Sequence, residues 1–343
     1  MAARVVRRRL DGRLLLIVLA SSLTAFGKPA DVLRLNERPR PRPGRGDVLL
    51  EMLAAPVNPA DLNVIEGKYG ELPKLPAVIG NEGAGRVALV GANAEGFSVG
   101  DLVLPMRRGT WSQFMVAEAA SAVRLPREMN AFQAAMLTVN PASAWGMLEE
   151  FVRLTKGEWI VQNAANSAVG RCVIQIARAR GWRTLNLVRR QDVIEDLKSL
   201  GADAVVLEGG DLRQVATELC GTARPRLGLN AVGGASALNV ANALADSGTM
   251  VTYGAMGRQA LKIPNGLLIF RNLSFKGFWA SRWLRTLAPA ESRRMWDLLA
   301  GLSMEGKLRI PIHRVFPLSQ LLAAIEEAGG EGRNGKVLLD LRA

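Results

Sequence analysis

From Glu158 onward the chain alternates between two hydrophobic periods, and few folds accept that pattern. Short β-branched runs at Trp159–Gln162, Thr184–Val188, Ala204–Leu207, Leu227–Ala231 and Thr249–Tyr253 read as strands. Helical stretches follow four of them: Val169–Arg180, stopped by Gly181, then Asp192–Leu200, Asp211–Leu219 and Ser236–Ala245. Strands separated by helices of this length cannot close as hairpins, so they must lie parallel with helices on both faces. The expected product is a doubly wound nucleotide-binding sheet whose series closes with Thr249–Tyr253. Upstream the text differs. Short strands such as Val48–Leu53 and Val87–Val90 recur between Gly-rich turns up to about Val123, which suggests a barrel-like β domain. Asn58-Pro59 opens a short helix, and Asn140-Pro141 opens another with Asn140 as its cap. After Phe278 the alternation breaks into helices near Glu291–Leu302 and Leu318–Gly329 and a last strand, Val337–Leu341. A chain of 343 residues is long enough for two domains.

In such a sheet the first βα turn receives a diphosphate, because unpaired N–H groups and the helix dipole attract anions there. Here that turn runs Asn163-Ala164-Ala165-Asn166-Ser167-Ala168-Val169-Gly170. The G-x-G-x-x-G spacing is not kept; Gly170 alone stands where helix and strand must pack closely. The second strand ends in Arg189-Arg190-Gln191, where an acidic residue normally binds the ribose diol of NAD. Guanidinium groups pair with a 2′-phosphate that a carboxylate would repel, so the cofactor expected is NADPH. Tyr253-Gly254-Ala255-Met256 and Asn230–Gly234 follow strands at the carboxyl edge, where ligands of open sheets sit; their plain alternative is turn chemistry.

Charge narrows the partners. The formal net charge is +13, and residues 1–45 hold 11 Lys/Arg against three Asp/Glu. The remainder is mildly basic, which suits an anionic small molecule. Nucleic acid is not an expected partner, since no basic face with interleaved aromatics lies beyond the first 13 residues. Two cysteines, Cys172 and Cys220, read as reduced core thiols in a cytoplasmic protein. The Arg-rich leader, residues 1–13, has a transit peptide as its alternative, with the mitochondrial matrix as destination. The apolar run Leu14–Ala20 is too short to span a membrane and is read as the first strand, following a loose leader.

The segments LTAFGKPADVLRL, MLAAPVNPADLNVIEGKYGELPKLPAVIGNEGAGRV, VQNAANSAVG, LNAVGG and TMVTYGAM resemble the medium-chain dehydrogenase/reductase superfamily. That resemblance implies a GroES-like β-barrel catalytic domain (residues 1–138), a Rossmann domain (139–278) and a return to the catalytic domain (279–343). Zinc-dependent members carry Gly-His-Glu where this chain has Gly80-Asn81-Glu82, and both cysteines lie in the nucleotide domain, so the zinc-free branch is implied, with no metal site. Within it, the text around Tyr69 and the Asn166-Ser167 turn is similar to the trans-2-enoyl thioester reductases. The resemblance puts the catalytic tyrosine on Tyr69 and a nicotinamide-side residue on Asn140. It puts the diphosphate turn on Asn166, Ser167, Ala168, Val169 and Gly170, and the 2′-phosphate site on Arg189, Arg190 and Gln191. Further cofactor contacts fall on Tyr253, Gly254, Ala255, Met256, Phe278, Trp279 and Lys336. Trp279 is also read as lining an acyl pocket or as core. Ala168 departs from the glycine of many relatives.

The activity implied is NADPH-dependent reduction of a 2-enoyl thioester carried by coenzyme A or acyl carrier protein, with Tyr69 supplying, orienting or relaying a proton. A homodimer paired through the nucleotide domains is implied as well. Two other readings are open: a zinc-free quinone or enone reductase on the same scaffold, and an NADPH-binding protein without turnover.

Overall fold

A computed structural model describes residues 6–10, 13–330 and 332–343. The chain divides into two compact units, one of residues 1–139, 296–305 and 309–343, the other of residues 140–295 and 306–308.

The first unit begins with β1 (Val6–Leu10), β2 (Arg13–Leu23), α1 (Pro29–Val32) and β3 (Leu33–Pro39). Residues 1–5 and 11–12 of the basic leader lie outside the described residues, but 6–10 are not loose. They pair antiparallel with β2, whose apolar run offers a free edge. There follow β4 (Asp47–Pro56), α2 (Pro59–Ile65), β5 (Ala84–Val90), β6 (Leu102–Leu104), β7 (Phe114–Glu118), β8 (Val123–Leu125) and α3 (Ala131–Ala135). Strand β4 is the hub: its first half pairs with β7, residues 48–54 with β5, and its last three residues with β16 (Lys336–Asp340). That double duty explains its nearly unbroken burial, where an exposed sheet face would alternate. Leu50, Met52, Leu23, Leu33, Trp111 and Val337 form the core, and each large apolar side chain so buried contributes about 1.5–3 kcal/mol.

The second unit runs α4 (Asn140–Glu150), β9 (Trp159–Gln162), α5 (Ala168–Arg180), β10 (Arg183–Val188), α6 (Ile194–Ser199), β11 (Ala204–Leu207), α7 (Leu212–Cys220), β12 (Leu227–Asn230), α8 (Gly234–Ala243), β13 (Thr249–Thr252), α9 (Asn265–Ile269), β14 (Ser274–Gly277) and α10 (Ala280–Leu284). The sheet order is β11-β10-β9-β12-β13-β14, every pair parallel. The order reverses between β9 and β12, the switch point at which such sheets bind ligands. The series does not close with Thr249–Tyr253 as the sequence suggested. Strand β14 adds a sixth member, hidden by its polar Ser274-Phe-Lys-Gly text at an exposed edge. Helix α11 (Pro289–Met304) follows, and β15 (Ile312–Pro317), α12 (Leu321–Gly329) and β16 (Lys336–Asp340) complete the first unit's sheet.

Candidate active site

In the second unit the candidate site is the carboxyl edge at the switch point. Ser167 caps α5, its Oγ accepting from the Gly170 N–H at 3.1 Å, which leaves other first-turn N–H groups for a ligand. Asn166, Ser167, Ala168 and Val169 are half-buried and within reach of solvent. Ala164 holds a positive φ of 46°, and a Cβ on Gly170 would fall 2.5 Å from the Ala165 carbonyl oxygen, so the turn folds tightly back on its helix. Asn163, the residue after β9, opens the turn and bonds through both ends of its amide. Its Nδ2 donates to Asn230 Oδ1 (2.8 Å) and Ser236 Oγ (2.9 Å), and its Oδ1 accepts from the Ala231 N–H (2.7 Å). Asn230 in turn accepts from the N–H groups of Val232 and Gly233 and donates to Thr252 Oγ1 at 3.1 Å. The ends of β9, β12 and β13 are thereby locked together by neutral amides. Sequence reasoning gave Asn163 no role of its own and read Asn230–Gly234 as a ligand-edge loop with turn chemistry as its alternative; an asparagine at the end of each of two neighbouring strands was the available signal.

Tyr253 to Met256 follow β13 on this same edge, with the Met256 N–H bonded to the Ala231 carbonyl. The Tyr253 hydroxyl is buried and its phenol is pushed well above its ordinary range by that burial. Ser167 is the polar group that bears on it and moderates that rise, but no hydrogen bond of good geometry joins them, so among the described residues the hydroxyl is a buried orphan beside the helix start. An orphan donor, a tight turn and a capped helix N-terminus fit a dinucleotide diphosphate. Arg189, Arg190 and Gln191 lie exposed at the end of β10, the neighbouring strand, with Arg190 Nε 3.4 Å from Asp192. Asn140 is the first residue of α4 rather than its cap; its side chain is buried and its Nδ2 has no partner among the described residues. Phe278 packs its ring against Phe151 and Trp283, at centroid distances of 6.0 and 5.6 Å, over Gly146 of α4. A Cβ there would meet the Phe278 ring at 2.7 Å. Trp279 is half-buried just before α10.

In the first unit Tyr69 lies in the loop after α2, partly buried against the core. Arg108 stacks over its ring, 5.5 Å from the centroid, and donates to the Glu71 carbonyl at 2.8 Å, which ties Tyr69 and the residues after it to one guanidinium. Lys336, distant in sequence, is buried on the same unit, where its ammonium donates to Asn58 Oδ1. Asn58 Nδ2 donates to Glu82 Oε1 at 2.8 Å, and Glu82 Oε2 accepts from the Val139 N–H at 2.7 Å. Asp61 accepts from the N–H groups of Asn58 and Asn81, each at 2.8 Å. Burial pushes the Glu82 carboxyl up to about 7 and that of Asp61 up to about 6, although hydrogen bonds and the Lys336 charge pull both down. Asn58, Asp61, Glu82 and Arg108 carried no role in the sequence reading, because nothing in one segment announces partners 24 or 278 positions away.

This cluster answers whether zinc would fit at Asn81 and Glu82. The donors there are amides, the Glu82 carboxylate is engaged by two N–H groups, and a cation is already supplied by Lys336. Zinc sites want thiolate, imidazole and free carboxylate. The residues do not fit the ion.

Comparison with known proteins agrees with this architecture. The alcohol dehydrogenase GroES-like domain matches residues 44–164 and the zinc-binding dehydrogenase model residues 168–301. The chain is 41% identical to the mitochondrial enoyl-acyl-carrier-protein reductase of Arabidopsis thaliana, over 91% of this chain and 85% of that protein. It is 41% identical to the enzyme of that name from Homo sapiens, over 88% and 82%. Among solved structures, the complex of Etr1p with NADP and crotonyl-CoA superposes with a TM-score of 0.85 at 27% identity, over 94% and 99% of the two chains. A protein assigned as an NADPH:quinone reductase from Bacillus thuringiensis gives 0.88 at 26%, over 95% and 99%.

Proposed function

This chain belongs to the family of the mitochondrial enoyl-acyl-carrier-protein reductases, and from that premise we propose that it reduces trans-2-enoyl thioesters to saturated acyl thioesters with NADPH. The observation that carries the reading is the 41% identity sustained over 91% of the chain.

NADPH, when bound, supplies the hydride. Asn166, Ser167, Ala168, Val169 and Gly170 hold its diphosphate at the start of α5, and Arg189, Arg190 and Gln191 take the 2′-phosphate. Tyr253–Met256, Asn140, Phe278 and Trp279 serve the remaining cofactor contacts. Lys336 acts through Asn58 and Glu82. As the β-carbon is reduced, negative charge develops on the thioester carbonyl, and the α-carbon takes a proton that Tyr69 supplies, orients or relays. Arg108, stacked on the ring, keeps the phenol in place.

For assembly we propose a homodimer. Strand β14 is an open sheet edge, and Ile269 and Phe270 beside it are 69% and 84% exposed, an apolar surface that a second copy would cover. Sedimentation at micromolar concentration should give twice the chain mass; a monomer that stays active overturns this assignment. For compartment, the relatives named mitochondrial favour the matrix over the cytoplasm. No helix among the described residues is long and apolar enough to cross a membrane.

The test is NADPH oxidation with a short and a medium trans-2-enoyl-CoA, against a simple quinone, with NADH in parallel. Turnover of the thioesters with NADPH supports the proposal. Turnover of the quinone alone moves the chain to the quinone reductase reading, which the Bacillus thuringiensis likeness keeps in view.

A further inference from the structure

Arg171, in the first turn of α5, is 3% exposed, and its guanidinium joins two segments assigned above to different phosphates. Its Nε donates to the Asn166 carbonyl oxygen at 3.2 Å, inside the diphosphate turn. A terminal nitrogen pairs with the carboxylate of Asp196, in the first turn of α6, the helix that follows Arg189-Arg190-Gln191. The backbone beside it is fixed from below. Gln162 Nε2 donates to the Gly170 carbonyl at 2.9 Å and to Asn186 Oδ1 at 2.8 Å, which ties the start of α5 to β10, and Gln175 donates to the Arg171 carbonyl at 3.0 Å.

A guanidinium this deeply buried does not meet a ligand phosphate. It does fix the distance between the two segments that would. The adenosine part of a dinucleotide sets one span between its diphosphate and its 2′-phosphate. A ligand with both groups binds well only when turn 163–167 and segment 189–191 are in register; one without the 2′-phosphate needs only the first. The pair also neutralises Asp196, whose carboxylate, left alone on α6, would oppose a phosphate bound at the end of β10.

We propose that the Arg171–Asp196 pair is a positioning device that sets selectivity for the 2′-phosphorylated dinucleotide, by holding the diphosphate turn and the 2′-phosphate segment in one register. It rests on the NADPH reading above. Neither residue touches the reacting atoms, so the effect belongs in cofactor affinity and not in the hydride step.

The experiment is fluorescence titration of the full chain with NADPH and with NADH, for wild type, Asp196→Asn, Arg171→Lys and Arg171→Met. Asp196→Asn is read first, because the site is half-exposed and the change isosteric, so folding is preserved. The dissociation constant for NADPH should rise about tenfold, equal to about 1.4 kcal/mol, while that for NADH stays within about twofold. Arg171→Lys keeps the charge but not the fork geometry, and should retain part of the selectivity that Arg171→Met loses. The Michaelis constant for NADPH should follow the same order. Equal loss for both cofactors would show a merely structural role and overturn the inference, as would selectivity unchanged in Asp196→Asn. A wild type that does not prefer NADPH overturns the cofactor reading itself and this inference with it.

Discussion

The two units build their candidate sites from opposite materials. In the second, neutral amides tie the strand ends together: Asn163, Asn230, Gln162 and Asn186 bond to one another and to backbone, and the charged groups, Arg171 with Asp196 and Glu208 on Ser236, stand around them. In the first, the cluster behind Tyr69 is charged, with Asp61, Glu82 and Lys336 all buried. The contrast follows from what each must do. A site that receives phosphates gains from a rigid strand edge whose carboxylates are engaged, as Asp196 is by Arg171 and Glu208 by Ser236. In the first, a lysine–amide–carboxylate chain, Lys336 to Asn58 to Glu82, cross-links segments far apart in sequence. The charged design carries a hazard, since a buried ion left without its partner is costly.

That hazard orders the ways to test the contrast. The largest effect should fall on turnover. Tyr69→Phe removes the phenolic proton, and kcat should fall about 10²–10⁴-fold; a value within a few-fold of wild type removes Tyr69 from the mechanism. Next comes the charged cluster. Lys336→Met leaves Asp61 and Glu82 without their buried cation and should cost about 3–5 kcal/mol in urea unfolding. Adding Glu82→Gln should recover part of that loss, and no recovery would mean that Lys336 and Glu82 act separately. The same cluster sets a pH dependence. Both carboxyls have folded values above their ordinary ones, so they favour the fold while protonated. That contribution is full below about 4 and is lost as pH rises through about 6 for Asp61 and 7 for Glu82. Glu82→Gln should flatten this slope, whereas Asn163→Ser in the neutral network should not alter it. The smallest effect is at the exposed arginines. Arg189→Ala with Arg190→Ala should weaken NADPH binding by about tenfold, roughly 1.4 kcal/mol, and leave NADH nearly unchanged. Equal weakening of both cofactors would place the 2′-phosphate elsewhere.

Much of the second unit was legible because its elements are local. Alternating periods gave the strands β9 to β13 to within a residue or two, and Gly181 stops α5 in the left-handed conformation, as its place in the text suggested. β14 was not legible: a four-residue polar edge strand has neither the alternation nor the apolar run that marks a strand. The first unit was readable as a β domain but not as a site. Its Tyr69 was visible through family likeness, while Arg108, which stacks on it, drew no notice, and Glu82, which holds Val139, entered only through the comparison with zinc-dependent members.

By itself, the sequence determined β9 to β13 and the helices between them, their parallel arrangement, and the positions of the turn after β9 and the arginines after β10. These follow from periodicity and from turn chemistry within a few residues. Only the tertiary structure decided that Lys336 lies on Asn58, that Asn163 locks β9 to β12, and that Arg171 joins α5 to α6. Burial and pairing depend on which distant segments share a neighbourhood, and a side chain's charge has no fixed consequence until that neighbourhood is set.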